Sequence, residues 1–207
     1  HDKAFEDVKK VLSSAPILAN FDPKLETKLE TDASKLKGLG YNLMQRHGDD
    51  WKLVACGSRF LSDCESRYAM VEMEALGILW SIRKCHIYLA GLPNFTVVTD
   101  HRPLLPIFNS YTLDMIENVK LQRYRAALQQ YQFKLVWKSG KEHCIADALS
   151  RAPIDDPSEE DIALVSQNYV NTVAVIKKAV TNVISTIDIE QESTKRNAKT
   201  ISSMIKK

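Results

Sequence analysis

The chain has 207 residues, with 28 Lys+Arg against 26 Asp+Glu and a formal net charge of +2. That near-balance excludes a polybasic, histone-like binder but leaves room for a local basic face. Hydrophobic residues make up 44% of the chain, which excludes wholesale disorder, and no apolar run approaches the ~18 residues of a membrane span.

In chain order, Ala4–Ser13 reads as a short amphipathic helix with Phe5, Val8, Val11 and Leu12 on one face. Pro16 and Pro23 bracket a connecting segment. Lys28–Asp32 alternates as a strand and leads into a turn. Leu39–Gln45 and Lys52–Arg59 read as strands joined at His47-Gly48-Asp49-Asp50, a hairpin signal. Glu65–Leu89 predicts one long helix, ended by Gly91 and Pro93. Phe95–Thr99 is apolar and β-branched, so a buried strand. Leu104–Phe108 and Val119–Tyr131 read as helices and Gln132–Trp137 as a strand. After a turn at Ser139-Gly140, Ala146–Arg151 opens a last helix. This order predicts a mixed α/β sheet with helices on its faces.

All seven glycines and all three tryptophans lie before residue 141, which marks a boundary near Arg151. Residues 152–161 carry Pro153, Pro157 and five acids and read as a solvated linker. Further on, Val173, Ile176, Val180, Val183 and Ile187 recur at steps of 3, 4, 3 and 4, an amphipathic helix pattern whose β-branched content keeps a strand reading open. The four cysteines form no C-x-x-C pair, which predicts free thiols in a reducing compartment. The chain begins at His1 and shows no signal peptide, so a piece of a longer, non-secreted polypeptide is expected.

Four carboxylates sit where predicted elements end or turn. Asp32 follows a strand, Asp100 closes the buried strand, Glu74 lies in an apolar stretch of the long helix, and Asp147 opens the last helix. Each has a bland reading: a turn former for Asp32, a helix cap for Asp100 and Asp147, an exposed helix residue for Glu74. Together they suggest a carboxylate cage for divalent metal. Oxygen ligands favour Mg²⁺ or Mn²⁺, and four clustered acids would need two cations to stay ionised.

The chain resembles the RNase H domain of reverse transcriptases from gypsy/Ty3-type LTR retrotransposons. The matching stretches are Ala4–Lys10 with Ser14–Leu18, Glu30–Ser34, Ser58–Ser62, Tyr68–Ile78, Thr99–His101, Tyr131–Phe133 and Gly140–Arg151, over about residues 3–151. The resemblance implies an RNase H-like fold, a mixed five-stranded sheet flanked by helices, with a helical C-terminal extension. It implies a connecting segment from a polymerase domain over 1–25, an RNase H domain over 26–151, an acidic linker over 152–162 and a tail toward an integrase region over 163–207. It implies metal-dependent, endonucleolytic cleavage of the RNA strand of RNA–DNA hybrids, with a non-catalytic scaffold of the same fold as the alternative.

By that resemblance Asp32, Glu74, Asp100 and Asp147 are the catalytic acids and hold two Mg²⁺ ions, or Mn²⁺. Glu72 rivals Glu74; the two lie about 200° apart around a helix, so only one can face the site, and the family's pattern, matched by Glu74-Ala75-Leu76-Gly77-Ile78, favours Glu74. His143 stands where many relatives carry Asn and reads as a loop residue or as a proton shuttle. Ser34, Arg59, Arg102 and Arg123 are candidate contacts to the nucleic acid, Arg102 the best placed. The implied partners are the hybrid and the polymerase and integrase parts of one polyprotein, with no membrane. The implied location is a cytoplasmic virus-like particle or the nucleus. An aromatic-x-Asp-Asp polymerase signature is absent from the sequence, so polymerisation is expected of the parent polyprotein and not of this piece.

Overall fold

A computed structural model describes residues 19–161, all within one compact unit, His1–Ile162. The helix expected over Ala4–Ser13 and the apolar pattern between Val173 and Ile187 lie outside the described residues.

Five strands form one mixed sheet: β1 (Thr27–Ala33), β2 (Gly38–His47), β3 (Asp50–Phe60), β4 (Phe95–Thr99) and β5 (Phe133–Trp137), in the order β3-β2-β1-β4-β5. The first three make antiparallel pairs, whereas β1/β4 and β4/β5 are parallel. All five predicted strands are found, and β4 has the bounds expected from its β-branched run. His47 pairs with Asp50 across Gly48-Asp49, and Gly48 takes φ +65°, the left-handed backbone that a Gly-first hairpin turn requires. β5 lies at the sheet edge. Asn109 partly occupies it, accepting from the Leu135 N–H at 2.9 Å and donating to its carbonyl at 2.8 Å.

The helices are α1 (Met70–Lys84), α2 (His86–Leu89), α3 (Leu104–Asn109), α4 (Val119–Ala127) and α5 (Cys144–Arg151). The expected single helix over Glu65–Leu89 is therefore broken. Tyr68 and Ala69 are extended, and Glu65, in a separate 3-10 turn, is held by Arg59 and Ser62. At the other end Cys85, at φ −90° and ψ 11°, departs from helical geometry. Met73 through Ile82 are all buried, as suits a helix covered on every side by β1, β2 and α4.

Arg59 is 1% exposed and forms a double hydrogen bond to Glu65, both contacts at 2.8 Å, while its guanidinium lies 5.4 Å from the Trp80 ring centre. Burial raises the Glu65 pKa, but the hydrogen bonds and charge of Arg59 outweigh it and bring the carboxyl below its ordinary value. Removing one partner of such a pair strands a buried charge, at a cost of roughly 3–5 kcal/mol. Arg59 thus has no face to offer a nucleic acid, which corrects the binding role read for it.

The stretch read as a solvated linker is docked over 152–161. The Phe60 N–H donates to the Asp155 carbonyl at 2.8 Å, and buried Asp161 accepts from Trp80 Nε1 at 3.1 Å and pairs with Lys84 Nζ at 2.9 Å. One of the five acids, Asp161, finds specific donors on α1, while Asp155, Asp156, Glu159 and Glu160 stay exposed. Residues 19–25 also lie against the sheet, through Ala19 on Leu53 and Asp22 on Gln45. All four cysteines are free thiols.

Candidate metal centre

Parallel pairing of β1 and β4 sets the site. The paired register Lys28↔Thr96, Leu29↔Val97, Glu30↔Val98, extended by two residues, sets Asp32 opposite Asp100 near the carboxyl ends of both strands. Ligands collect at such carboxyl ends. α1 packs on β1 and delivers Glu74, and α5 packs on β1 and β2 and delivers Asp147. The four acids line one cleft of about 460 Å³ together with Ser34, His101 and Arg151. Carboxylate oxygens of Asp32, Glu74 and Asp100 lie within 4.8 Å of one another. Asp147 stands outside that trio and is paired with Arg151.

Glycine at position 40 makes this possible. Gly40 pairs with Asp32, and a Cβ there would meet the Ser150 backbone nitrogen, the Ala146 carbonyl oxygen at 2.7 Å and the Leu149 carbonyl carbon at 2.8 Å. The backbone of α5 therefore rests directly on β2, and Ser150 Oγ donates a short hydrogen bond to Asp32 Oδ2.

Two buried glutamates give the clearest electrostatic contrast. Glu30, on the same strand as Asp32, accepts from Asn42 at 2.9 Å and pairs with Lys28 at 3.2 Å and Lys138 at 3.3 Å. Burial raises its pKa, yet these partners bring it below the ordinary value. Glu74 is 2% exposed, and its Oε2 has no partner among the described residues. Burial, then the charges of Asp32 and Asp100, push its pKa well above the ordinary value. Asp32 is raised too, by burial first, with Asp100 and Asp147 adding to it and the Ser150 hydrogen bond opposing.

Three converging oxygen donors, one of them orphaned, fit hard divalent cations, which take carboxylate ligands. The bland readings fall away for two residues: Glu74 is not exposed, and the cap of α5 is His143, not Asp147. Glu72 has another task. It accepts from the Ala69 N–H at 3.2 Å at the start of α1, and from Asn118 and Lys120 at 3.0 Å each.

His143 is 1% exposed and absent from the cleft wall; its Nε2–H donates to the Thr31 carbonyl at 2.8 Å. That bond joins the start of α5 to β1 beside Asp32. Its Nδ1 has no hydrogen-bond partner among the described residues, and the bond from Nε2 gives the ring a positioning role in this structure. Arg102 is exposed, its guanidinium stacked 3.8 Å from the Trp137 ring centre, and Trp137 Nε1 donates to the Asp100 carbonyl at 3.0 Å. Arg123 is half-buried on α4 and does not line the cleft. Ser34 lines it and closes the β1–β2 turn, its N–H donating to Gly38 O at 2.8 Å. Ser150 and Arg151 stood inside a recognised motif, but spacing alone carried no sign of their contacts to Asp32 and Asp147.

Fold and acid cleft together place the protein among the RNase H-like domains. The family model of the RNase H-like domain found in reverse transcriptase matches residues 22–131, and the chain belongs to that family. It is 36% identical over 151 residues to the retrovirus-related Pol polyprotein from transposon opus of Drosophila melanogaster, covering 73% of this chain and 15% of the polyprotein. It is 33% identical over 180 residues to the Tf2-3 transposon polyprotein of Schizosaccharomyces pombe, covering 84% and 13%. The chain thus spans about a seventh of the length of these relatives. Among solved structures, a foamy viral protease-reverse transcriptase in complex with double-stranded DNA aligns at 15% identity and TM-score 0.49, covering 67% of this chain and 26% of that one.

Proposed function

We propose that this chain is the ribonuclease H module of a retrotransposon polyprotein, cutting the RNA strand of RNA–DNA hybrids endonucleolytically with two divalent cations, Mg²⁺ or Mn²⁺. The observation that carries the reading is Glu74, a buried carboxylate with an unpartnered oxygen packed against two other acids. A cation bound there would neutralise it, as protonation does without one. Asp32, Glu74 and Asp100 would hold one cation, and Asp147 with Asp32 a second. Cations bound there supply an activated water and stabilise the departing oxygen. Ser150 and His143 keep Asp32 and α5 in register. Arg102, flattened on Trp137 next to Asp100, would grip a phosphate of the hybrid, whose RNA strand presents 2′-hydroxyls across a wide minor groove. The parent polyprotein would supply RNA-directed DNA polymerase and integrase parts, working in a virus-like particle or the nucleus.

The test is incubation with labelled RNA–DNA hybrid, RNA duplex and single-stranded RNA in Mg²⁺ and in EDTA. Only the RNA strand of the hybrid should be cut, and only with metal. If calorimetry detects metal binding but the hybrid stays intact, the scaffold alternative holds instead. For the phosphate grip, Arg102→Ala should reduce the slope of log Kd against log salt by about 1, as loss of one phosphate contact does. An unchanged slope would remove Arg102 from the interface.

A further inference from the structure

Four acids line the cleft, but one of them already has a cation of the protein's own. Asp147 lies in the first turn of α5, and Arg151 follows four residues later, on the same helix face. Arg151 Nε donates to Asp147 Oδ1 at 2.7 Å, and Nη2 lies 2.7 Å from the same oxygen as an ion-pair contact. One hydrogen bond to one oxygen is not the fork-to-fork arrangement that makes arginine–carboxylate pairs strong. The side chains are also accessible, 68% for Arg151 and 36% for Asp147, so solvent and salt weaken the attraction. An exposed pair of this kind biases an equilibrium by about fivefold at most. The other three acids differ: their oxygens converge within 4.8 Å, and burial with neighbouring acids, not a protein cation, dominates the surroundings of Asp32 and Glu74.

We propose that Arg151 is a displaceable counter-ion: it competes with a divalent cation for Asp147 and, once displaced, takes a phosphate of the substrate strand. The inference rests on the cation-dependent nuclease reading above. Arg151 lines the same cleft as the acids, and its planar, permanently charged fork suits phosphate as well as it suits carboxylate. The consequence is coupling. Cation at Asp147 frees the guanidinium for the nucleic acid, and nucleic acid on the guanidinium frees Asp147 for the cation. Each ligand raises the affinity of the other by the same factor. The weak, accessible pair makes this exchange easy, whereas a buried pair like Arg59–Glu65 could not be opened for it.

The experiment is a Mn²⁺ titration of the full chain, followed by the spectroscopic signal of free Mn²⁺, for wild type, Arg151→Gln and Arg151→Lys. At low salt, Arg151→Gln should tighten the weaker of two Mn²⁺ sites about threefold and leave the tighter one unchanged, with the gain shrinking at high salt. Arg151→Lys should stay near wild type. Hybrid binding is then measured with Ca²⁺ and with EDTA. The loss caused by Arg151→Gln should be larger with the cation present. Unchanged or weaker Mn²⁺ binding in Arg151→Gln would overturn the proposal, as would an equal loss of hybrid binding in both conditions. If wild type binds no Mn²⁺ at all, the nuclease reading itself fails, a result distinct from either.

Discussion

Glu74→Gln is expected to cut hybrid cleavage by about 10³-fold while raising the melting temperature of the metal-free protein. The two effects come from one cause. Glu74 is buried beside Asp32 and Asp100, and its folded pKa lies well above the ordinary value of 4.5. A carboxyl whose pKa is raised on folding supports the fold while protonated, and that support is lost as pH rises through the folded pKa. At neutral pH the metal-free protein therefore carries a penalty, and Asp32 adds to it in the same direction. Gln is nearly the same shape and has no charge to repel.

Glu65 and Asp161 work the other way. Burial opposes their ionised forms, but Arg59 for the one and Lys84 and Ser158 for the other hold their pKa values below the ordinary ones. Their contribution is present above the unfolded pKa and lost as pH falls through the folded value. The metal-free protein should thus be most stable in mildly acidic solution and lose stability toward pH 8, where Mg²⁺ restores it. Melting curves at pH 5 and pH 8, in EDTA and in Mg²⁺, read this directly. Each 1 kcal/mol relieved moves the midpoint by roughly 2–4 °C for a chain of this size. Cleavage should fall by about 10³-fold, the scale of removing one preorganised charge from a reacting centre. A Glu74→Gln protein that melts lower than wild type at pH 8 in EDTA would contradict the electrostatic account. One that still cuts would remove Glu74 from the reaction.

Gly40→Ala should damage the site without touching an acid. The new methyl would collide with α5 through backbone atoms, the Ala146 carbonyl oxygen at 2.7 Å and the Leu149 carbonyl carbon at 2.8 Å, which cannot rotate away as a side chain does. α5 must lift from β2. Ser150 then loses Asp32, the His143 bond to Thr31 is pulled, and Asp147 moves away from the other acids. Overpacking of this kind costs roughly 1–3 kcal/mol, and a displacement of about 1 Å at a reacting centre costs on the order of 10²-fold in rate. Unfolding by urea measures the first and single-turnover cleavage the second. Wild-type cleavage by a folded Gly40→Ala protein would show that α5 need not lie so close. Gly48→Ala is the control: it strains a positive-φ turn with nothing within 4 Å of the new methyl, so it should cost stability and spare cleavage.

The strands were legible because their pattern is local. A two-residue alternation with a Gly-first turn specifies the β2–β3 hairpin over a dozen residues, and a β-branched run specifies β4. Helix geometry allowed only one of Glu72 and Glu74 to face the site, and the resemblance to the family's motif at Glu74-Ala75-Leu76-Gly77-Ile78 chose Glu74. The long helix was misread because nothing local reports that Glu65 is drawn toward Arg59 and that Tyr68 and Ala69 turn extended. The acidic stretch over 152–161 was misread for the same reason: a run of acids signals solvent until a buried indole N–H and a lysine claim one of them.

By itself, then, the sequence determined the strand pattern and the order of the strands, because these depend on local periodicity, whereas the four acids were read from where elements end and from resemblance to a family motif. Only the tertiary structure decided which charges are spent. Arg59 and Arg102 are both arginines beside recognisable motifs, yet one is sealed against Glu65 and Trp80 and the other lies open on Trp137. Glu30 and Glu74 are both buried, yet one is surrounded by lysines and an amide and the other faces two acids. The distinction rests on contacts between residues as far apart as Asp32 and Ser150, 118 positions along the chain. Burial multiplies the strength of every such contact, and only the packed fold sets which groups are buried together.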